Sequence, residues 1–313
     1  MVEWPALPYL DWRDTRDTLH MYTQVIGKLR LALSPFEPEW ANVPLYVTAR
    51  GLTTSPMPVG LRSLEASFDF LDHELVLQTS DGKTVEWPLG GSVADFYRDV
   101  VRAVSRLGVH KAISKVPSEV PDKTPFSDDH HHHTYEASQV RRFFEVLSMV
   151  DIVFREHHSK FRGKTTPVQF FWGSFDVALT RFSGKFTTPP QDRGFIARYG
   201  GDAEAICGGW WPGDERNPHP AFYAYAYPPI DGLDQSVIRP AGAAWSSEAG
   251  EFLMPYETAR GAPDTRRAIL EFLESTYEAA AKRLGWSDDL THFDAPPPRR
   301  PSARTLEAQE TSR

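Results

Sequence analysis

Leu19, Tyr22, Ile26, Leu29 and Leu33 recur at alternating intervals of three and four residues, the spacing of one helical face. They predict a helix over Thr15–Leu33, with Asp14 as its cap and Pro35 preventing its continuation. An extended stretch over Pro44–Arg50 follows. From Leu64 the period changes to two: Leu64, Ala66, Phe68 and Phe70 alternate with Glu65, Ser67 and Asp69, the pattern of a half-buried strand. Leu75–Thr79 and Thr84–Leu89 flank Ser80-Asp81-Gly82-Lys83, and Asp-Gly between strand patterns predicts a hairpin. Ser92 caps a second helix to about Leu107, with Asp95 as an acidic variant of the capping box and Gly108 as its stop. Lys111–Val116 reads as a further strand.

The second part of the chain repeats this order. A helix is predicted over Ala137–Phe161, with Val140, Phe143, Phe144, Leu147, Val150, Val153 and Phe154 as its buried stripe. Strands follow over Pro167–Lys185, Ala203–Trp211 and Ala221–Tyr227, then a hairpin in Trp245–Tyr256 around Glu248-Ala249-Gly250. A last helix starts at Asp264 or Thr265 and ends at Gly285. In each part a proline, Pro44 or Pro167, opens an aromatic-rich strand.

The expected fold is therefore α+β, with two helix–antiparallel meander–helix halves related by a pseudo-two-fold and a groove between them. Residues 1–116 form the first half, 117–135 a polar linker and 136–290 the second half. Residues 291–313 form a tail without apolar periodicity, expected to be disordered.

Composition narrows the function. The 313 residues carry 9 Trp, 11 Tyr and 19 Phe, enough ring area to offset a modest aliphatic share. A net charge of −8 argues against a nucleic-acid partner, which needs a basic surface. One cysteine, Cys207, rules out an intramolecular disulfide. No apolar run approaches the roughly 20 residues that cross a bilayer, and no signal segment is recognisable. The expectation is a cytoplasmic protein, without a membrane or nucleic-acid partner, of unknown oligomeric state.

The most informative stretch is PVQFFWGSFDVALTRFSGK, Pro167–Lys185. As one continuous strand it puts Phe170, Trp172, Ser174, Asp176, Thr180 and Phe182 on one face. Polar groups amid large rings mean a bonded core network or a pocket wall. Asp176, desolvated by those rings, is the leading acid or base. The bland alternative is a buried Asp held by Arg181, Lys185 or a backbone donor. His20, Gln24 and Lys28 form one helical stripe, either a watered edge or an anion-binding strip with His20 as acid or base. Tyr46, Thr48 and Arg50 share a strand face. Arg50 suits bidentate recognition of an anion, or a structural pair with Asp69 or Asp176. Tyr223, Tyr225 and Tyr227 line one face of another strand, as a planar-ligand wall or as cross-strand packing. Gly208-Gly209-Trp210-Trp211 shows one indole to each sheet face. His130–His133 invites a metal, but neighbours in sequence rarely close a site, so no native metal and no cofactor are expected. The phosphate-loop, nucleophile-elbow, HExxH and dinucleotide motifs are all absent or out of context.

TLHMYTQVIGKLRLAL, PLYVTARGLTTSP, FDFLDHEL, FFWGSFDVALTRFSGK and FYAYAYP together give the chain, from Tyr9 to Trp286, a distinct set of motifs. In these it resembles a bacterial family catalogued only as a domain of unknown function. The resemblance implies a stand-alone soluble protein and brings no activity, cofactor or catalytic residue.

The sequence reading is a protein that binds a small anionic or planar ligand in an aromatic-lined pocket. Lys28, Tyr46, Arg50, Trp172 and Tyr225 are the binding set, and Asp176 and His20 the candidates for catalysis. The alternative is an interaction module that docks a partner chain on aromatic sheet faces.

Overall fold

The computed structural model describes residues 3–189 and 194–291. All but the first residue of the expected tail lies outside the described residues. Helix α1 (Tyr9–Leu33) opens the chain. It is followed by β1 (Tyr46–Val47), β2 (Gly51–Thr53), β3 (Met57–Val59), β4 (Arg62–Asp69), β5 (Glu74–Thr79), β6 (Thr84–Pro88) and helix α2 (Val93–Arg106). These strands form an antiparallel sheet in the order β1-β2-β4-β5-β6, with β3 also paired to β4.

The second half contains α3 (Ala137–Ser159), β7 (Gln169–Phe171), β8 (Asp176–Phe186), α4 (Phe195–Gly200), β9 (Ala203–Trp211), β10 (Ala221–Tyr227), β11 (Ala244–Ser246), β12 (Glu251–Pro255), α5 (Tyr256–Arg260) and α6 (Thr265–Leu284). Its antiparallel sheet runs β11-β12-β10-β9-β8-β7. The fold is thus α+β, with two similar six-stranded sheets in pseudo-two-fold halves. The halves meet where the two proline-opened strands touch. Leu45 N–H donates to Phe170 O and Phe170 N–H donates to Leu45 O, each at 2.8 Å. Such a reciprocal antiparallel exchange is what a two-fold between first strands produces.

Local signals set many of these boundaries. Ser92 Oγ accepts from Asp95 N, and Asp264 Oδ1 accepts from Arg267 N, so both predicted caps cover helix-end donors. Gly285 closes α6 in the left-handed conformation. Helix α1 begins earlier than its periodicity predicts, because Tyr9 and Trp12 are themselves buried and continue the helix past Asp14. It is buried almost all round from Thr15 to Arg30, as befits a helix in the core. Lys111–Val116 forms no strand.

Residues 117–135, expected as a linker, are tied to both helices of the first half. Val93 N–H donates to His132 O and Ala94 N–H to Asp129 O, satisfying two of the free donors at the start of α2. Phe126 is fully buried beneath this segment.

The Pro167–Lys185 stretch requires a correction: it is a hairpin. Phe175 N–H donates to Phe171 O at 2.8 Å, and Phe175 takes a left-handed φ of 61°, which breaks the strand between Trp172 and Phe175. Phe171 therefore faces Asp176 across the ladder, while Phe170 faces Val177. Phe170 and Trp172 are not on the Asp176 face.

Candidate functional site

A cavity of about 600 Å³ lies where α1 and the 119–122 segment meet the second sheet. Its floor is built by strand alternation. Asp176 on β8, Cys207, Gly209 and Trp211 on β9, Tyr223 and Tyr225 on β10, and Glu251 on β12 share one sheet face, by the ladder registers. The opposite face carries Val177, Trp210, Phe222 and Met254 into the core. The adjacent glycines serve these two faces separately. A Cβ on Gly208 would lie 2.7 Å from Leu273 of α6, and one on Gly209 would lie 2.1 Å from Tyr223 Cζ. Gly209 thus lets the Tyr223 ring lie across β9 and reach Asp176 on β8.

Asp176 is 7 % exposed. Tyr223 Oη and Ser174 Oγ each donate a short hydrogen bond to its carboxyl. Burial outweighs these bonds and pushes the Asp176 acid up from its ordinary value. Glu251 rises to about 7, by burial first and the nearby Asp176 charge second. Glu119 keeps much of its surface exposed, yet its carboxyl packs on Gly173, where an added Cβ would meet Oε1 at 2.2 Å. Desolvation of that carboxyl, then Asp176, raises it as well. The lining arginines have partners of their own: Arg16 binds Asp17 and Arg216 binds Asp214. Among the described residues, no Lys or Arg lies within ion-pair distance of Asp176, Glu119 or Glu251. Cys207 is buried beneath Tyr225, and burial raises its thiol to about 11, far from a reactive thiolate.

The predicted stripe on α1 has a different use from either one anticipated. Gln24 grips Ser118 through two backbone bonds, Nε2–H to O at 2.8 Å and Ser118 N–H to Oε1 at 2.7 Å. Lys28 Nζ donates to Ser118 Oγ at 2.6 Å. The stripe is a clamp that delivers the next residue, Glu119, to the cavity. His20 lines the cavity, but its Nε2 faces the carbonyls of Trp172 and Gly173, both at 3.0 Å, so Nε2 carries the proton and donates. Burial, and then Arg16, hold this ring neutral, well below its ordinary pKa. Its second nitrogen, Nδ1, has no hydrogen-bond partner. The ring packs on Phe175, which also stacks on Phe143.

Of the residues named from sequence, Asp176, His20 and Tyr225 converge on the cavity. Four do not line it. Arg50 is half exposed and binds Asp69 and Asp72. Tyr46 packs under Arg30. Trp172 is buried against Gly27, donates Nε1–H to Val43 O and lies under Lys28. Lys28 is occupied by Ser118 and that indole. Each was a charge or ring in a strand or stripe pattern, and each is satisfied by a partner away from the cavity floor. Arg16, Glu119, Trp211 and Glu251 were missed as site residues. The Gly208-Gly209 pair was the available signal, since two glycines inside a strand mark a close approach on each face.

Phe175, beside the cavity residues Ser174 and Asp176, and Glu119 both hold left-handed φ values, 61° and 58°. Non-glycine residues in such conformations cost on the order of 1–3 kcal/mol each and cluster at functional sites. Among the described residues, no three His, Cys, Asp or Glu side chains are grouped to hold a metal. Among the described residues, no helix is long and apolar enough to cross a membrane.

Fold and site define a two-sheet α+β protein with an acid-rich, aromatic cavity between its halves. The chain belongs to the Family of unknown function (DUF5996), which it matches over residues 4–292. No curated protein and no solved structure matches it.

Proposed function

We propose that the chain binds a small, partly planar ligand that carries positive charge, rather than the anionic one its sequence suggests. One observation carries this reading. The carboxyls of Asp176, Glu119 and Glu251 border one cavity with no Lys or Arg in ion-pair contact among the described residues; Lys28 and Lys123 act on Glu119 only from further off, and the lining arginines pair with Asp17 and Asp214. Burying carboxylates without a counter-charge is costly, and a bound ammonium or amidinium removes that cost. Tyr223 and Tyr225, with rings 9° from parallel, and Trp211 across from Tyr223 supply faces that attract cations. Burial raises the Asp176 acid, which makes it the candidate proton donor to such a ligand. His20 serves the cavity by holding the Trp172–Gly173 backbone. A docking face for a partner chain has weaker support, because Trp172 and Trp210 are buried and Trp211 lines the cavity.

The test is a thermal-shift series of aromatic amines against matched carboxylic acids. At about 100 times Kd a ligand adds ~2.7 kcal/mol to native stability, a shift of several degrees. Amines should raise Tm in the wild type and not in Asp176→Asn. Stabilisation by the acids alone would overturn the reading.

A further inference from the structure

The cavity has a second acid–base device on its wall, within the histidine run for which the sequence predicts no native metal. His132 lines the cavity, and its side chain is 15 % exposed. Its Nδ1 lies 2.8 Å from Oδ2 of Asp129, a carboxylate that is 2 % exposed. The other Asp129 oxygen accepts the backbone N–H groups of His131 and His132, at 3.2 and 3.0 Å. The carbonyls of Asp129 and His132 are in turn held by the first N–H groups of α2. Every part of this pair is therefore fixed by backbone. A carboxylate at Nδ1 sets the tautomer: the neutral ring carries its proton on Nδ1 and leaves Nε2 as the basic nitrogen.

We infer that His132 is the proton acceptor of this cavity, with Asp129 as its positioning residue, and that it takes a proton from the cationic ligand. This rests on the cation reading above. The step is a simple transfer: an N–H bond of the ammonium breaks, an N–H bond forms at Nε2, and ligand and ring become free amine and imidazolium. No oxidant or further reactant is needed. Asp129 remains a carboxylate and compensates the new charge. The carboxylates of Asp17 and Asp122 also face the ring and favour its charged form, whereas His131, whose ring is 5.0 Å away, lies edge-on to it. The bond to Asp129 is the largest influence raising the His132 pKa. Burial of Asp129 is outweighed by its bonds to His132, so that carboxyl stays low. The other charged and titratable groups around this chamber are Arg16, His20, Glu119, Asp176, Asp214, Glu215, Arg216 and Glu251, with the phenols of Tyr9, Tyr223 and Tyr225.

The experiment is a pH titration of the full chain with ¹⁵N-labelled histidine, followed by NMR, with phenethylamine as the probe and His132→Gln to assign the signal. The inference expects neutral His132 to be protonated at Nδ1. It expects Asp129→Asn, which keeps an acceptor for the two backbone donors, to lower the His132 midpoint. Saturating phenethylamine should raise the midpoint, because the ring then draws its proton from the bound ammonium. An Nε2–H neutral ring, a midpoint unchanged in Asp129→Asn, or a midpoint unchanged or lowered by bound phenethylamine would each overturn it. If amines bind nowhere, as read by thermal shift, the cation reading falls and takes the inference with it. Failure of the NMR arm while amines still bind overturns the inference alone.

Discussion

Asp176 and Arg181 are five residues apart on β8 and face opposite sides of it. Both are buried charges, and their surroundings could hardly differ more. Arg181, 1 % exposed, lies between the rings of Phe161 and Tyr277, donates to His157 O, and has Glu274 within 3.8 Å. Glu274 also binds His157 Nδ1 at 2.9 Å. On that face each charge meets its opposite. On the Asp176 face, carboxyls meet hydroxyls and one another, and the space beside them is open. A buried charge that faces an opposite charge is structure. A buried charge with neutral partners and a cavity beside it is a candidate site.

Breaking the compensated face should have the largest effect. Arg181→Ala takes one cation from Glu274, which keeps His157 and Lys160, and empties the slot between two rings; it should cost about 3–5 kcal/mol in urea denaturation. Amine binding to the folded fraction should persist. Loss of binding with unchanged stability would show that the two faces are not separable.

Gly209→Ala tests the other face. The new Cβ would collide with the Tyr223 ring. Overpacking should cost about 1–3 kcal/mol, and the displaced ring should release Asp176 and abolish the amine-induced rise in Tm. An unchanged response would sever the link between Gly209 and the site.

The two faces should also slope oppositely with pH. His157 is pushed down from 6.5 to about 4, chiefly by burial. The unfolded chain then binds the extra proton between pH 4 and 6.5, so this group makes stability rise with pH across that window. Glu251 is raised from 4.5 to about 7, so the native state holds the extra proton and stability falls as pH climbs from 4.5 to 7. Glu251→Gln should therefore make stability at pH 7, relative to pH 4.5, higher than in the wild type, as measured by urea midpoints. A steeper fall in the variant would reverse the assignment.

Arg50→Ala should have the smallest effect. Its bonds to Asp69 and Asp72 are at the surface, where ion pairs contribute little. Neither the urea midpoint nor amine binding should change measurably, and a lost thermal shift would return Arg50 to the site.

The sequence by itself determined the elements whose causes are local. Ser92 and Asp264 announced their helices, Asp81-Gly82 its hairpin, and the limits of β9 and β10 followed from alternation. It also singled out Asp176, because a carboxyl among rings is anomalous at any register. What only the tertiary structure decided was which residues meet. Whether Trp172 shares a face with Asp176 depended on one left-handed residue, Phe175, held by Phe143, Phe170 and His20 from other parts of the chain. Whether Arg50 was free depended on Asp69 and Asp72 across a turn, and whether Glu119 reached the cavity depended on the grip of Gln24 on Ser118. Periodicity reports the face on which a side chain stands. It carries no record of what stands opposite, because that is fixed by contacts between segments far apart in sequence.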